Sequence, residues 1–118
     1  MALTKEQFLG TASQLKTDVV DVPELGKVTV RELTTAQRGQ LEADMHTNEN
    51  ATFAAMRPWV VAMSVMNGDG LMFEAKDVDA IGGLPSSVTT PIFNRVLEMS
   101  GLTAKDREEL EKKSEPSR

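Results

Sequence analysis

From Ala51 to Met66 nearly every position is apolar or small: Phe53, Ala54, Ala55, Met56, Trp59, Val60, Val61, Ala62, Met63, Val65 and Met66. A segment apolar on most sides predicts a central helix with other elements packed around it. Pro58 lacks the N–H for one rung of the ladder, which predicts a kink, or a break between a short turn at 51–56 and a longer helix from Pro58.

The N-terminal half changes period twice. Thr4 and Gln7 have capping-box spacing, and Leu3, Phe8, Leu9 and Ala12 can form an apolar stripe, so a short helix is expected first. Val20 and Val22 then alternate with Asp21, and Val28 and Val30 with Thr29, across Pro23-Glu24-Leu25-Gly26. That pattern is a β-hairpin over Asp18 to Arg31, with Pro23 at a strand end or edge because it cannot donate to a ladder. Thr34 and Gln37 repeat the capping box and predict a helix to about His46. Thr47 to Asn50 reads as a loop, with Asn50 or Thr52 capping the central helix.

Beyond the central helix, Asn67-Gly68-Asp69-Gly70 is a turn cluster and Leu71-Met72-Phe73 an extended apolar return beside the helix it left. Ala75 to Ile81 allows one or two helical turns before Gly82-Gly83. Leu84-Pro85-Ser86-Ser87 opens an amphipathic helix with Val88, Ile92, Val96 and Met99 at helical spacing, widened by Phe93 and Leu97. Gly101-Leu102 has the order of a Schellman stop. Thr103 can cap a polar helix, Ala104 to Lys113, followed by a frayed tail. The expected class is α+β: a mostly helical single domain over 1–103 with an N-terminal β-hairpin, then a helical C-terminal region and tail over 104–118. Val60, Met63, Phe93 and Val96 are expected to share one core.

Composition narrows the function. The chain has 118 residues, no cysteine and a net charge of −5. That size suffices for one core without staples, and the lack of thiols removes disulfides, thiolate zinc sites and a cysteine nucleophile. An acidic chain with four Phe and one Trp lacks the cationic face and stacking platforms of a nucleic-acid binder. No run is apolar for long enough to span a membrane, and MALTKEQFLG is not a signal sequence, so a cytoplasmic protein is expected.

Candidate chemistry is sparse. His46 is the single histidine, at the end of a polar helix beside a loop. Asn67-Gly68-Asp69-Gly70 fails as a calcium loop because Val78 stands where the bidentate Glu belongs. Gly82-Gly83-Leu84-Pro85 lacks the Gly-Lys-Ser/Thr ending of a P-loop. Asp77/Asp79 and Glu108/Glu109 lie in polar stretches, where carboxylates keep ordinary acidity. The expectation is no enzymatic activity, no cofactor and no metal.

Methionine is abundant, with seven in the chain. On the central helix these residues either fill gaps in the core or form, with Trp59, an anchor for a partner. Met56, Trp59 and Met63 are therefore the candidate partner-binding residues. Val28 and Val30, on a hairpin with Pro23 and Lys27 near its turn, are candidates for weak self-association through a strand edge.

The order of these parts resembles a known family. A short helix, a hairpin V-x-V-P-E-L-G-x-V-x-V-R-E-L-T, two helices, N-G-D-G-L-M-F, D-V-D-A-I-G-G-L-P, an amphipathic helix and S-G-L-T resemble the small tail assembly chaperones of long-tailed bacteriophages, from about Thr4 to Leu110. The resemblance implies a non-enzymatic protein without cofactor, in the cytoplasm of the infected bacterial host and absent from the mature virion. Its implied client is the long, helical, aggregation-prone tape-measure protein, kept soluble while the tail tube assembles. It further implies a longer, frameshifted product that recruits tail-tube protein, with Lys112-Lys113 as a possible slippage site. A structural morphogenesis component such as a head–tail connector, or a small regulatory adaptor, is the alternative.

Overall fold

The computed structural model describes residues 2–12, 14–47 and 52–102. The polar helix and tail expected over 104–118, the Lys112-Lys113 site and the Asn50 cap lie outside the described residues. The order is α1 (Lys5–Ala12), β1 (Thr17–Val22), β2 (Gly26–Arg31), α2 (Thr35–Thr47), α3 (Phe53–Ala62), β3 (Met66–Asn67), β4 (Gly70–Leu71), a 3-10 turn (Ala75–Asp77), α4 (Val78–Gly82) and α5 (Ser86–Met99). The α+β, mostly helical class with an N-terminal hairpin is what the sequence pattern predicts.

Local signals account for most element ends. In both predicted capping boxes the contacts are reciprocal: the Gln7 and Gln37 N–H groups donate to Thr4 and Thr34 Oγ1, and the Thr4 and Thr34 N–H groups donate to the glutamine Oε1 atoms, all within 3.1 Å. Thr52 caps α3 by accepting from the Ala55 N–H at 3.1 Å. At the end of α5, the Leu102 N–H reaches the Leu97 carbonyl at 2.9 Å and the Gly101 N–H the Glu98 carbonyl at 3.1 Å, with Gly101 at φ 78° and Leu102 buried. This is the predicted Schellman pair. A Cβ on Gly101 would meet nothing closer than Arg38 Nη1 at 3.8 Å, so Gly101→Ala should cost only the left-handed backbone penalty, about 1–2 kcal/mol, read from urea midpoints.

The antiparallel hairpin pairs Val20 with Val28 and Asp18 with Val30. Alternate residues therefore share the face that α5 covers, Val22 and Val30 buried, Val20 and Val28 half-buried, while Val19 faces solvent. Asp18 falls on the covered face at the open end of the hairpin, where Arg95 of α5 donates to its carboxylate at 2.6 Å and the Val19 N–H at 2.8 Å. The Arg95 hydrogen bond, then the Val19 N–H, hold the Asp18 carboxyl below its ordinary value against partial desolvation. A lowered folded-state pKa stabilises above the unfolded value and ceases to do so as pH falls through the folded one. The stability advantage of wild type over Asp18→Asn should therefore be present at neutral pH and vanish in acid below the ordinary carboxylate range; an equal gap at both pH values in urea melts would contradict the pair's role.

Two expectations for the central helix are corrected. No break occurs at Pro58: α3 runs through it, because a proline at the sixth helical position removes only the rung to Ala54. α5 tolerates Pro91 at its own sixth position in the same way. Nor does the helix reach Met66. It ends at Ala62 because the next residues are drawn to the hairpin: the Arg31 N–H donates to the Ser64 carbonyl at 2.9 Å and Val65 bridges Val30. Met66 pairs with Leu71 across a two-residue loop whose first member, Gly68, has φ 69°.

The core joins Leu41 and Met45 of α2, Val60 to Ala62 of α3, Ile81 of α4, and Ile92, Phe93, Val96 and Leu97 of α5. Met63 is half-buried against it, so the predicted four-residue cluster exists with Met63 at its margin. Arg57 lies over the Phe93 ring, 5.2 Å from its centroid.

Candidate functional site

Three turns, far apart in sequence, each carry one large apolar residue that a tight turn cannot bury within itself. Leu25 follows Pro23 and Glu24 between β1 and β2. Its N–H donates to the Val22 carbonyl at 3.1 Å, closing a turn whose third residue, Glu24, has φ 71°. A type II turn demands that conformation there, and a non-glycine residue adopts it at a cost of about 1–2 kcal/mol. Met72 follows β4, its N–H held by the Val65 carbonyl at 2.9 Å. Leu84 precedes α5, its N–H donating to the Ile81 carbonyl at 3.0 Å. The three side chains are 63%, 49% and 46% exposed, too much for core residues.

They converge on one groove of about 280 Å³. Its floor is Val61 and Val65 behind the end of α3, Val28 of the hairpin, and Val88 and Ile92 of α5, with Phe73 alongside. The lining is apolar except for Thr89, which is itself buried. The volume falls just below the ~300–1,000 Å³ of ordinary small-molecule clefts and the walls offer almost no polar group to orient a ligand. An apolar side chain presented by another polypeptide suits such a floor better. The early end of α3 creates it, since a helix continuing to Met66 would not bring Val65 beside Val30.

The predicted partner residues stand elsewhere. Met56, Trp59 and Met63 occupy one side of α3 and are half-buried against the core; none of them lines the groove. Val28 does line it. Val30 is fully buried and bridged to Val65, so that stretch of β2 already has a neighbour. Leu25 and Leu84, which sequence reasoning used only as turn and helix-start grammar, belong to the site. The signal was available, a large apolar residue inside each of P-E-L-G, G-L-M-F and G-G-L-P.

His46, Asp77 and Asp79 do not line the groove. His46 is exposed in the last turn of α2. The Asp77 carboxylate accepts from the Glu74 N–H at 2.8 Å, which assigns it to capping the 3-10 turn. Among the described residues no three His, Cys, Asp or Glu side chains gather as metal ligands, and no helix is long and apolar enough to cross a membrane. No protein-family model matches the chain, and no curated protein or solved structure matches it.

Proposed function

We propose that this protein is a non-enzymatic binding protein that holds an apolar segment of a client in the groove between Leu25, Met72 and Leu84. The resemblance to tail assembly chaperones supplies the client: the phage tape-measure protein, kept soluble in the cytoplasm of the infected bacterial host during tail-tube assembly, with the chaperone absent from the finished virion. The observation that carries the reading is the exposure of three large apolar side chains around one apolar floor. Exposed apolar patches of this kind mark interaction sites, and an apolar groove receives the anchoring residues of an amphipathic helix. Half-buried Met56, Trp59 and Met63 can extend the contact along α3.

The test is co-expression with a tape-measure protein from the same phage. Wild type should keep the client soluble and co-elute with it from a sizing column. A Met72→Glu, Leu84→Glu variant should lose the complex while its own stability changes by less than about 1 kcal/mol, since both side chains are half-exposed. A client that pellets equally with and without the protein contradicts the function. A complex unaffected by the two charges contradicts the site.

A further inference from the structure

A second apolar surface on the same chain matches the groove. Leu3, just before α1, is 69% exposed, and Phe8 and Leu9 within it are each 59% exposed. Leu3 precedes the Thr4 cap and Phe8 is the fourth helical residue, the two positions of a hydrophobic staple, so they are brought to one side of the helix. An eight-residue helix is well short of the ~12–15 residues at which isolated helices become even marginal in water. It requires cover for its apolar side. The residues of α1 from Lys5 to Gly10 are exposed, and none of them lines the groove.

We propose that α1 of a second copy seats Leu3, Phe8 and Leu9 in the groove between Leu25, Met72 and Leu84, in a reciprocal, twofold exchange. The chain's own α1 is badly placed for this. It joins β1 at Thr17, opposite Arg31 at the open end of the hairpin, whereas Leu25 lies at the closed end. From Thr17 to Val22 the strand covers about 17 Å, and Leu3, Phe8 and Leu9 of the same chain stay exposed and line no part of the groove. A second copy is free of that tether. Area favours reciprocity as well: six half-exposed apolar side chains at roughly 100 Å² each bury about 600 Å², below a specific interface, while two such dockings approach the ~1,200 Å² at which stable interfaces begin. The exchange would shield the groove until a client displaces α1. It shares the groove with the client reading and does not depend on the client's identity.

Sedimentation equilibrium on the full chain tests it. Wild type should dimerise with rising concentration, and Phe8→Glu and Leu84→Glu should each raise the dimer dissociation constant about tenfold or more. Val19→Glu, on the outer face of the hairpin, should leave it unchanged. Because the chain has no cysteine, a Phe8→Cys, Leu84→Cys variant gives a clean second reading: oxidation should link two chains. A link within one chain, a monomeric wild type at high concentration, or a dimer weakened by Val19→Glu and not by Leu84→Glu would each overturn the proposal. The client reading fails separately, since Phe8→Glu weakens the exchange and leaves the groove open to client.

Discussion

Phe93→Ala should cost about 3–5 kcal/mol, a large part of the stability of a domain this size. Phe93 is 3% exposed at the centre of α5, among residues of α3 and α5 that are equally closed to solvent. Truncation removes the ring's transfer free energy and leaves a cavity that Val60, Val96 and Leu97, fixed on two helices, cannot collapse to fill. It also removes the surface beneath the Arg57 guanidinium, whose Nε is buried and has no hydrogen-bond partner among the described residues. Denaturant melts should show the loss with a smaller fall for Phe93→Leu; a cost under about 1 kcal/mol would place Phe93 outside the core.

Val30→Lys should cost at least as much, roughly 4 kcal/mol or more, because Val30 is fully buried and bridged to Val65, and the Asp18 carboxylate on the strand opposite is already held by Arg95. Val28→Lys, two residues along the same face, should cost no more than about 1–2 kcal/mol, because a lysine at the groove can carry its ammonium into solvent along its own stem. The contrast separates a hairpin whose second strand is already covered from one with a free edge. Similar, small losses at both positions would mean that the edge is open.

The same hairpin shows what a sequence can and cannot disclose. Its strands, its register face and its turn were legible because alternation and turn residues act over a few positions. So were both capping boxes and the Gly101-Leu102 stop, each a contact between residues at most five apart. The end of α3 was not legible: Met63 to Met66 continue the apolar helical pattern, and only the long-range bond from Arg31 to Ser64 and the bridge from Val30 to Val65 draw the chain away. Of the two outcomes that Pro58 allows, the break does not occur, because one lost rung near a helix start costs less than the packing of Val60, Val61 and Ala62 contributes. The groove was hidden for the same reason as the helix end. Leu25, Met72 and Leu84 sit in unrelated turns, and only tertiary packing brings them to one floor. Trp59 and the α3 methionines were conspicuous by type, but type does not report exposure.

Hydrogen exchange on the protein in complex with its proposed client tests the central claim most directly. Bound client should slow exchange at backbone amides beside the groove, in the Glu24–Val28 turn, at Met72 and Phe73, and from Leu84 to Val88, while the exposed side of α2 exchanges as in the free protein. Protection confined to Met56 and Trp59, or to α2, with the three turns unchanged, would contradict the account, as would the failure of any complex to form.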